Sequence, residues 1–469
     1  MPDNGTAVAA PVRRAAGSSV ALRRELWAWS AVAICALAVA GAFALLLAVS
    51  RIPGIEGVAF WPLDFFSKGL VIHVVFSFVV WFAAVFAALA TIAAARLAGG
   101  VLPLPGLGLT AAGGTAAAMP PLFIPALLER GEATLNNYVP VIIDPLYYAG
   151  LALLAGAIGL AALRLLAVVR PAALRRDPPA AATAAAALAM LLALLCFAVA
   201  LSMLAGSSFS FDFNEALMWG GGHLLQFVNT LLLLVAWTTL ASSWPAAPAS
   251  RPLGIASAVL LAGALVGPLF YLLFPPFSPA QTMAFTWLQY LLGPAAAIVA
   301  IALLLRLPRP LPRGAPAFLA LILSVLLFAV GGTLGLFVDG TDTRTPAHYH
   351  GMIAGVTLAF FGLFFVRLLP ALGREAGTAR RQRLILHLFA WGQLAACIGL
   401  FAAGGHGAPR KVAGAAQGLH DIVAKIGMGL NGIGGLIAVI GGILFIWTVG
   451  SALLRTPVAA KPSARENPC

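Results

Sequence analysis

Long apolar runs alternate with short polar or basic breaks along the whole chain, and this rhythm predicts helices that cross a bilayer. A spanning helix needs roughly 20 predominantly apolar residues. Twelve segments meet that length, near 26–50, 66–97, 105–128, 141–168, 180–205, 215–243, 253–274, 283–306, 315–338, 346–368, 383–404 and 420–453. The third is rich in Gly and Pro. No long polar linker separates the segments. The expected fold class is therefore all-α: a polytopic membrane protein of about twelve transmembrane helices, forming one domain over 26–453. A basic tail (1–25) and a polar, Pro- and Ala-rich tail (454–469) flank it.

Composition agrees. Of 469 residues, 61% are apolar and only 9% charged, with a mean hydropathy of +0.99. A soluble domain carries about a quarter charged residues, so this chain lacks the groups to coat itself in water. The net charge of +13 does not indicate nucleic acid, because the basic residues sit in short clusters between apolar runs. Cys35, Cys196, Cys397 and Cys469 are widely spaced, with no C-x-x-C or C-x-x-C-H. Neither a zinc knuckle nor covalent heme attachment is thereby indicated. The first apolar run follows Arg13, Arg14, Arg23 and Arg24 and is too long for a signal-peptide core, so it reads as a retained helix.

Orientation follows from the charges. With both termini in the cytoplasm, 21 of the 28 Lys and Arg fall inside, among them Arg170, Arg175, Arg176, Arg306, Arg309 and Arg313. The other seven are Arg51, Lys68, Arg130, Arg344, Arg410, Lys411 and Lys425. Ten of the 15 acidic residues fall outside, including Asp64, Glu129, Glu132, Asp144, Asp339 and Asp342. The Ala-, Gly- and Arg-rich composition fits a prokaryotic inner membrane.

Histidines carry the candidate chemistry. His73, His223, His348, His350 and His420 each lie in the first third of an even-numbered segment, which places all five at one depth near the outer surface. Ionisable groups inside a span are costly and mark functional sites, and imidazole is the commonest metal ligand. In His348-Tyr349-His350 the two rings are about 200° apart on a helix, so one helix can serve two neighbours. A polar helix start after Thr-Asp-Thr-Arg-Thr-Pro accounts for the pair as well; with His73 and His223 at the same level, heme ligation is the better explanation. His406 and His420 read as packing or propionate-side residues, and His387 as a membrane-interface residue.

Twelve spans, His73 in the second, Gly-Gly-Gly-His223 in the sixth and Ala-His348-Tyr-His350-Gly opening the tenth together resemble subunit I of the heme-copper oxidase superfamily, which includes cytochrome oxidases and nitric oxide reductases. Gly407-Ala408-Pro409-Arg410-Lys411 is similar to that family's Gly-x-Pro-Arg-Arg. The resemblance implies two hemes. His73 and His350 would be the axial ligands of a low-spin heme and His348 the proximal ligand of a high-spin one, with Arg410 and Lys411 on propionates. It also implies a separate electron-donating subunit of cytochrome c or cupredoxin type, and oxygen or nitric oxide as substrate.

The pattern then departs. No histidine occurs between His223 and His348, and the stretch Phe270 to Tyr290 offers no imidazole. One His is too few for a copper site, so His223 reads as the remnant of a distal metal site, and copper or non-heme iron is not expected. Leu225 and Phe227 stand where oxidases often have Glu and Tyr. Glu129, Glu132, Asn136, Asn137, Asp144, Asp212, Glu215, Asp339 and Asp342 read mostly as solvated loop residues. Two functions remain open: an oxidoreductase that passes electrons from the low-spin to the high-spin heme to reduce a gas, or a non-catalytic diheme protein for electron transfer or gas binding. A twelve-span transporter would leave His-x-His unexplained.

Overall fold

The computed structural model describes residues 19–50, 55–58, 65–244, 249–338 and 340–456. Arg51, Asp64, Asp339 and most of both tails lie outside the described residues. Within them, twelve helices are long and apolar enough to span a membrane: α1 (Val20–Ser50), α2 (Phe66–Leu97), α3 (Pro105–Leu127), α4 (Pro145–Ala167), α5 (Pro178–Met203), α6 (Phe211–Ala241), α7 (Ser250–Leu273), α8 (Pro279–Leu304), α9 (Pro316–Phe337), α10 (Arg344–Ala371), α11 (Ala379–Gly405) and α12 (Ile422–Leu454). Their limits fall within a few residues of the apolar runs, because the hydrocarbon thickness fixes run length and helix length alike. The Gly- and Pro-rich third run is helical despite Pro120, Pro121 and Pro125. Such breaks are tolerated in a bilayer where a neighbour packs against them, and Gly150 of α4 lies against Pro121 and Leu122.

Sequence also sets the helix ends. Asp144, Asp177, Ser210, Ser278, Thr378 and Asp421 each cap the helix that follows, accepting a backbone N–H of its first turn. Small residues set the closest helix contacts. A Cβ on Gly331 would lie 2.5 Å from the Met352 amide, and one on Gly351 would lie 2.6 Å from the Gly331 Cα, so α9 and α10 touch backbone to backbone. Gly427, Gly434 and Gly441 repeat every seventh residue and bring α12 equally close to α11.

Three helices form the middle of the bundle. The most apolar stretches of α2, α6 and α10 are 72%, 78% and 78% buried, against 33% to 50% for the other nine. These three carry His73, His223, His348 and His350. An aromatic cluster joins α2, α10 and α12, with Trp81 stacked on Phe364 at 5.7 Å and Phe361 stacked on Phe445 at 3.6 Å. Each of the two central helices that carry His73 and the His348–His350 pair contains a π-helical stretch, Val75–Val80 just after His73 and Phe364–Leu368 in α10. Such stretches occur often at functional sites. Even-numbered helices begin, and odd-numbered ones end, at one face of the bundle, here termed the histidine end.

Candidate heme-binding site

At the histidine end the side chains of the central helices are held by specific partners. His73 Nδ1 lies 3.0 Å from the Ala40 carbonyl of α1. His348 Nδ1 lies 2.7 Å from the Gly331 carbonyl of α9, and its ring occupies the space left by Gly335, where a Cβ would lie 2.5 Å from Nδ1. A carbonyl only accepts, so each Nδ1 carries the proton and donates it. The lone pair is then on Nε2, which is the tautomer and orientation a metal-ligating histidine needs. Both rings thus present Nε2 as the donor atom that a heme iron would take. His350 is displaced around α10 from His348 and stacks against Tyr349 at 5.5 Å.

Depth can be read from the contacts below. Trp81 lies eight residues past His73, about 12 Å along the axis, and touches Phe360, Phe361 and Phe364, which lie roughly 15–21 Å past His350 at 1.5 Å per residue. His73 and His350 thus sit within about a turn or two of one depth. Leu240 of α6 meets Gly362 of α10, and the same arithmetic puts His223 within about a turn of His348.

Polar loops close this end. Ala133–Thr134 (β1) pairs antiparallel with Val141–Ile142 (β2), in register Ala133 with Ile142 and Thr134 with Val141. The loop between them is tied to the start of α6: the Asn137 N–H and Nδ2 donate to the Glu215 carboxylate at 2.7 and 2.6 Å, and Asn214 Nδ2 donates to Thr134 Oγ1 at 3.1 Å. The loop after α11 is tied to the start of α10. The Thr343 N–H donates to the Ala408 carbonyl at 3.1 Å, and Asp342 pairs with Arg344 at 2.7 Å. This brings the Arg410–Lys411 pair beside the helix turn that precedes His348. Lys411, at φ +64, reaches the other loop and donates to the Leu135 carbonyl. His406 pairs with Asp421 at 3.2 Å, and His387 accepts from Trp391 Nε1 on an exposed helix face. Asn136, Asp144 and Asp342 are buried within this cap. The solvated-loop reading therefore does not hold for them, because each is consumed by a structural hydrogen bond or ion pair.

Burial, followed by the neighbouring Arg410 charge, holds the Lys411 ammonium down at about 8, while Glu215 pulls the other way. Its folded value lies below the ordinary lysine value of about 10.4, so the unfolded chain binds more protons between those limits and stability rises with pH there. Melting temperatures between pH 7 and 10 are expected to show this rise in heme-depleted protein and to lose it in Lys411→Met. A propionate beside Lys411 would cancel the shift, so the rise is also expected to vanish on heme loading.

Around His223 the arrangement differs. Its Nδ1 lies 2.7 Å from the Trp219 carbonyl, one turn back on α6, and its Nε2 lies 2.9 Å from the Tyr138 hydroxyl. The three preceding glycines each make room for a different aromatic: Gly220 for Tyr271 and Phe285, Gly221 for Phe197, and Gly222 for Tyr138. Among the described residues no group of three His, Cys, Asp or Glu is placed to hold a metal ion. Tyr138 was not singled out from sequence. It lies in a polar loop 85 residues before His223, and no local pattern marks it.

The same helical frame is found in a solved heme-copper terminal oxidase dimer, which superposes with a TM-score of 0.73 over 94% of this chain and 85% of that chain at 16% sequence identity. The chain has the fold of a heme-copper terminal oxidase. Sequence similarity agrees: it is 29% identical over 171 residues to cytochrome c oxidase subunit 1 of Thermus thermophilus, covering 34% of this chain and 30% of that protein. Over that third of its length the chain is similar to a cytochrome oxidase subunit 1. It is also 29% identical over 350 residues to an uncharacterized protein of Aquifex aeolicus (72% of this chain, 83% of that one). An uncharacterized protein of Rickettsia prowazekii is 24% identical over 289 residues, 51% of this chain and 55% of that one. No protein-family model matches. The bacterial relatives and the oxidase-like fold with its twelve candidate spans support a prokaryotic membrane location.

Proposed function

We propose that this subunit I-like chain is a diheme membrane oxidoreductase that takes electrons at its histidine end and reduces a diatomic gas, oxygen or nitric oxide. The observation that carries the reading is the shared geometry of His73 and His348: each Nδ1 is fixed by a backbone carbonyl of the adjacent helix, which leaves Nε2 as the ligand atom. His73 and His350 hold the low-spin heme, and His348 holds the high-spin heme. When bound, the two hemes supply one-electron transfer and, at the second, an open iron position for a gas. Arg410 and Lys411 hold propionates, since such carboxylates need paired cations where water is scarce. Excess basic charge puts the histidine end outside and both termini in the cytoplasm. Electrons then come from a separate subunit of cytochrome c or cupredoxin type.

A second reading, a non-catalytic diheme protein for electron transfer or gas binding, is favoured by one observation: both ring nitrogens of His223 are already engaged. Purified protein tests both. Two hemes per chain are expected from the pyridine hemochrome assay, with half of the reduced heme shifting its spectrum on carbon monoxide. Protein without heme would sink both readings. Consumption of oxygen or nitric oxide with a reduced donor separates the oxidoreductase from the non-catalytic protein.

A further inference from the structure

The residues around His223 do not fit a second metal, and the way they fail to fit is specific. Trp219's carbonyl accepts from Nδ1, so Nδ1 carries the ring proton and Nε2 is an acceptor. Tyr138 must then donate its O–H to Nε2 at 2.9 Å. Both nitrogens of the imidazole are satisfied by protein groups, and no carboxylate or thiol joins them to form a donor set of three among the described residues.

Tyr138 is placed there by construction. Its backbone sits at φ +66, a strained conformation for a non-glycine residue that persists only where the surroundings impose it. The surroundings do so. Asn136 Nδ2 donates to the Val139 carbonyl at 2.6 Å, and Asn137, the residue before Tyr138, is held to Glu215 through both its backbone N–H and its side-chain Nδ2. The missing side chain of Gly222 supplies the space, since a Cβ there would lie 2.5 Å from the Tyr138 Cβ. The phenol ring lies 4.4 Å from the imidazole and 5.9 Å from Trp219, centre to centre.

We propose that the hydroxyl of Tyr138, delivered by the loop before α4, takes the coordination position that a second metal would use on His223. The distal side of the gas site is then formed by a tyrosine–histidine pair without metal. The assignment of a distal side rests on the heme reading given above; the exclusion of metal from His223 does not. Tyr138 is here a positioning residue: with the tautomer of His223 set by the Trp219 carbonyl, Tyr138 fixes the ring's rotation, and the pair presents a polar, hydrogen-bonding wall to a small ligand.

The experiment uses the full-length heme-loaded protein, made in copper-supplemented medium, with carbon monoxide as the infrared probe. The wild-type protein is expected to contain far less than one copper or non-heme iron per chain. Tyr138→Phe and Gly222→Ala are each expected to shift the carbon monoxide stretching band by more than its width, with the low-spin heme spectrum unchanged. That unchanged spectrum shows that the variants have folded. Stoichiometric copper or non-heme iron in the wild type would overturn the proposal, as would an unshifted band in both variants. Protein lacking heme would count against the heme reading instead, and the metal content alone would then decide whether Tyr138 closes His223.

Discussion

Replacing His350 by leucine is expected to remove the low-spin heme while leaving the bundle assembled. The reason lies in how α10 is anchored. Its azimuth is set by the backbone contact between Gly331 and Gly351 and by the His348–Gly331 hydrogen bond, and its lower half by Trp81, Phe361 and Phe445. These contacts do not involve the His350 imidazole and persist in the variant, which would lose one ligand of that heme. His73→Leu should give the same spectrum, because a single histidine would hold that heme too weakly to retain it. Heme content is expected to fall towards one per chain, with the remaining heme still binding carbon monoxide. His348→Leu is expected to do the opposite, keeping the low-spin spectrum and losing most of the carbon monoxide shift. If all three variants lost both hemes equally, the assignment of ligands to two separate sites would fail.

How much of this was legible in the sequence depends on how local the signal is. Helix spans read off directly, since a bilayer imposes one length on every crossing. Four of the five histidines expected within spans, His73, His223, His348 and His350, fall on the three most buried helices, whereas His420 lies in the loop just before α12. What could not be read was which ring nitrogen is engaged and by whom. Ala40, Gly331 and Trp219 act through their backbone carbonyls, which every residue possesses. Gly-Gly-Gly-His was visible as a motif, yet its reason is the aromatic that each glycine admits, a property of four distant segments. The cap residues Asn136, Asn137 and Glu215 looked like ordinary loop polarity and are instead the scaffold of Tyr138.

A second large effect is expected far from the histidines. Glu25 of α1 and Arg164 of α4 form an ion pair at 2.6 Å, with side chains only 1% and 2% exposed. Thr91 of α2 donates to the other Glu25 oxygen at 2.6 Å and accepts from Arg164 at 3.3 Å. Gly108 of α3 completes the enclosure, because a Cβ there would collide with both charged groups. Four helices therefore meet at one charge pair, at the end opposite the histidines. Both carboxylate oxygens are occupied, so Glu25 is held as a packing element and is not arranged to relay protons. Removing one partner of a buried pair leaves an uncompensated charge and costs about 3–5 kcal/mol, whereas removing both can be nearly neutral. Arg164→Leu is accordingly expected to lower the yield and melting temperature of the purified protein sharply. The double variant Glu25→Gln with Arg164→Met should recover most of the loss. Gly108→Ala should resemble the single variant, since it forces the pair apart without deleting either charge. An Arg164→Leu protein that melts like the wild type would mean that water reaches Glu25, and the four-helix junction would then owe its stability to apolar packing alone.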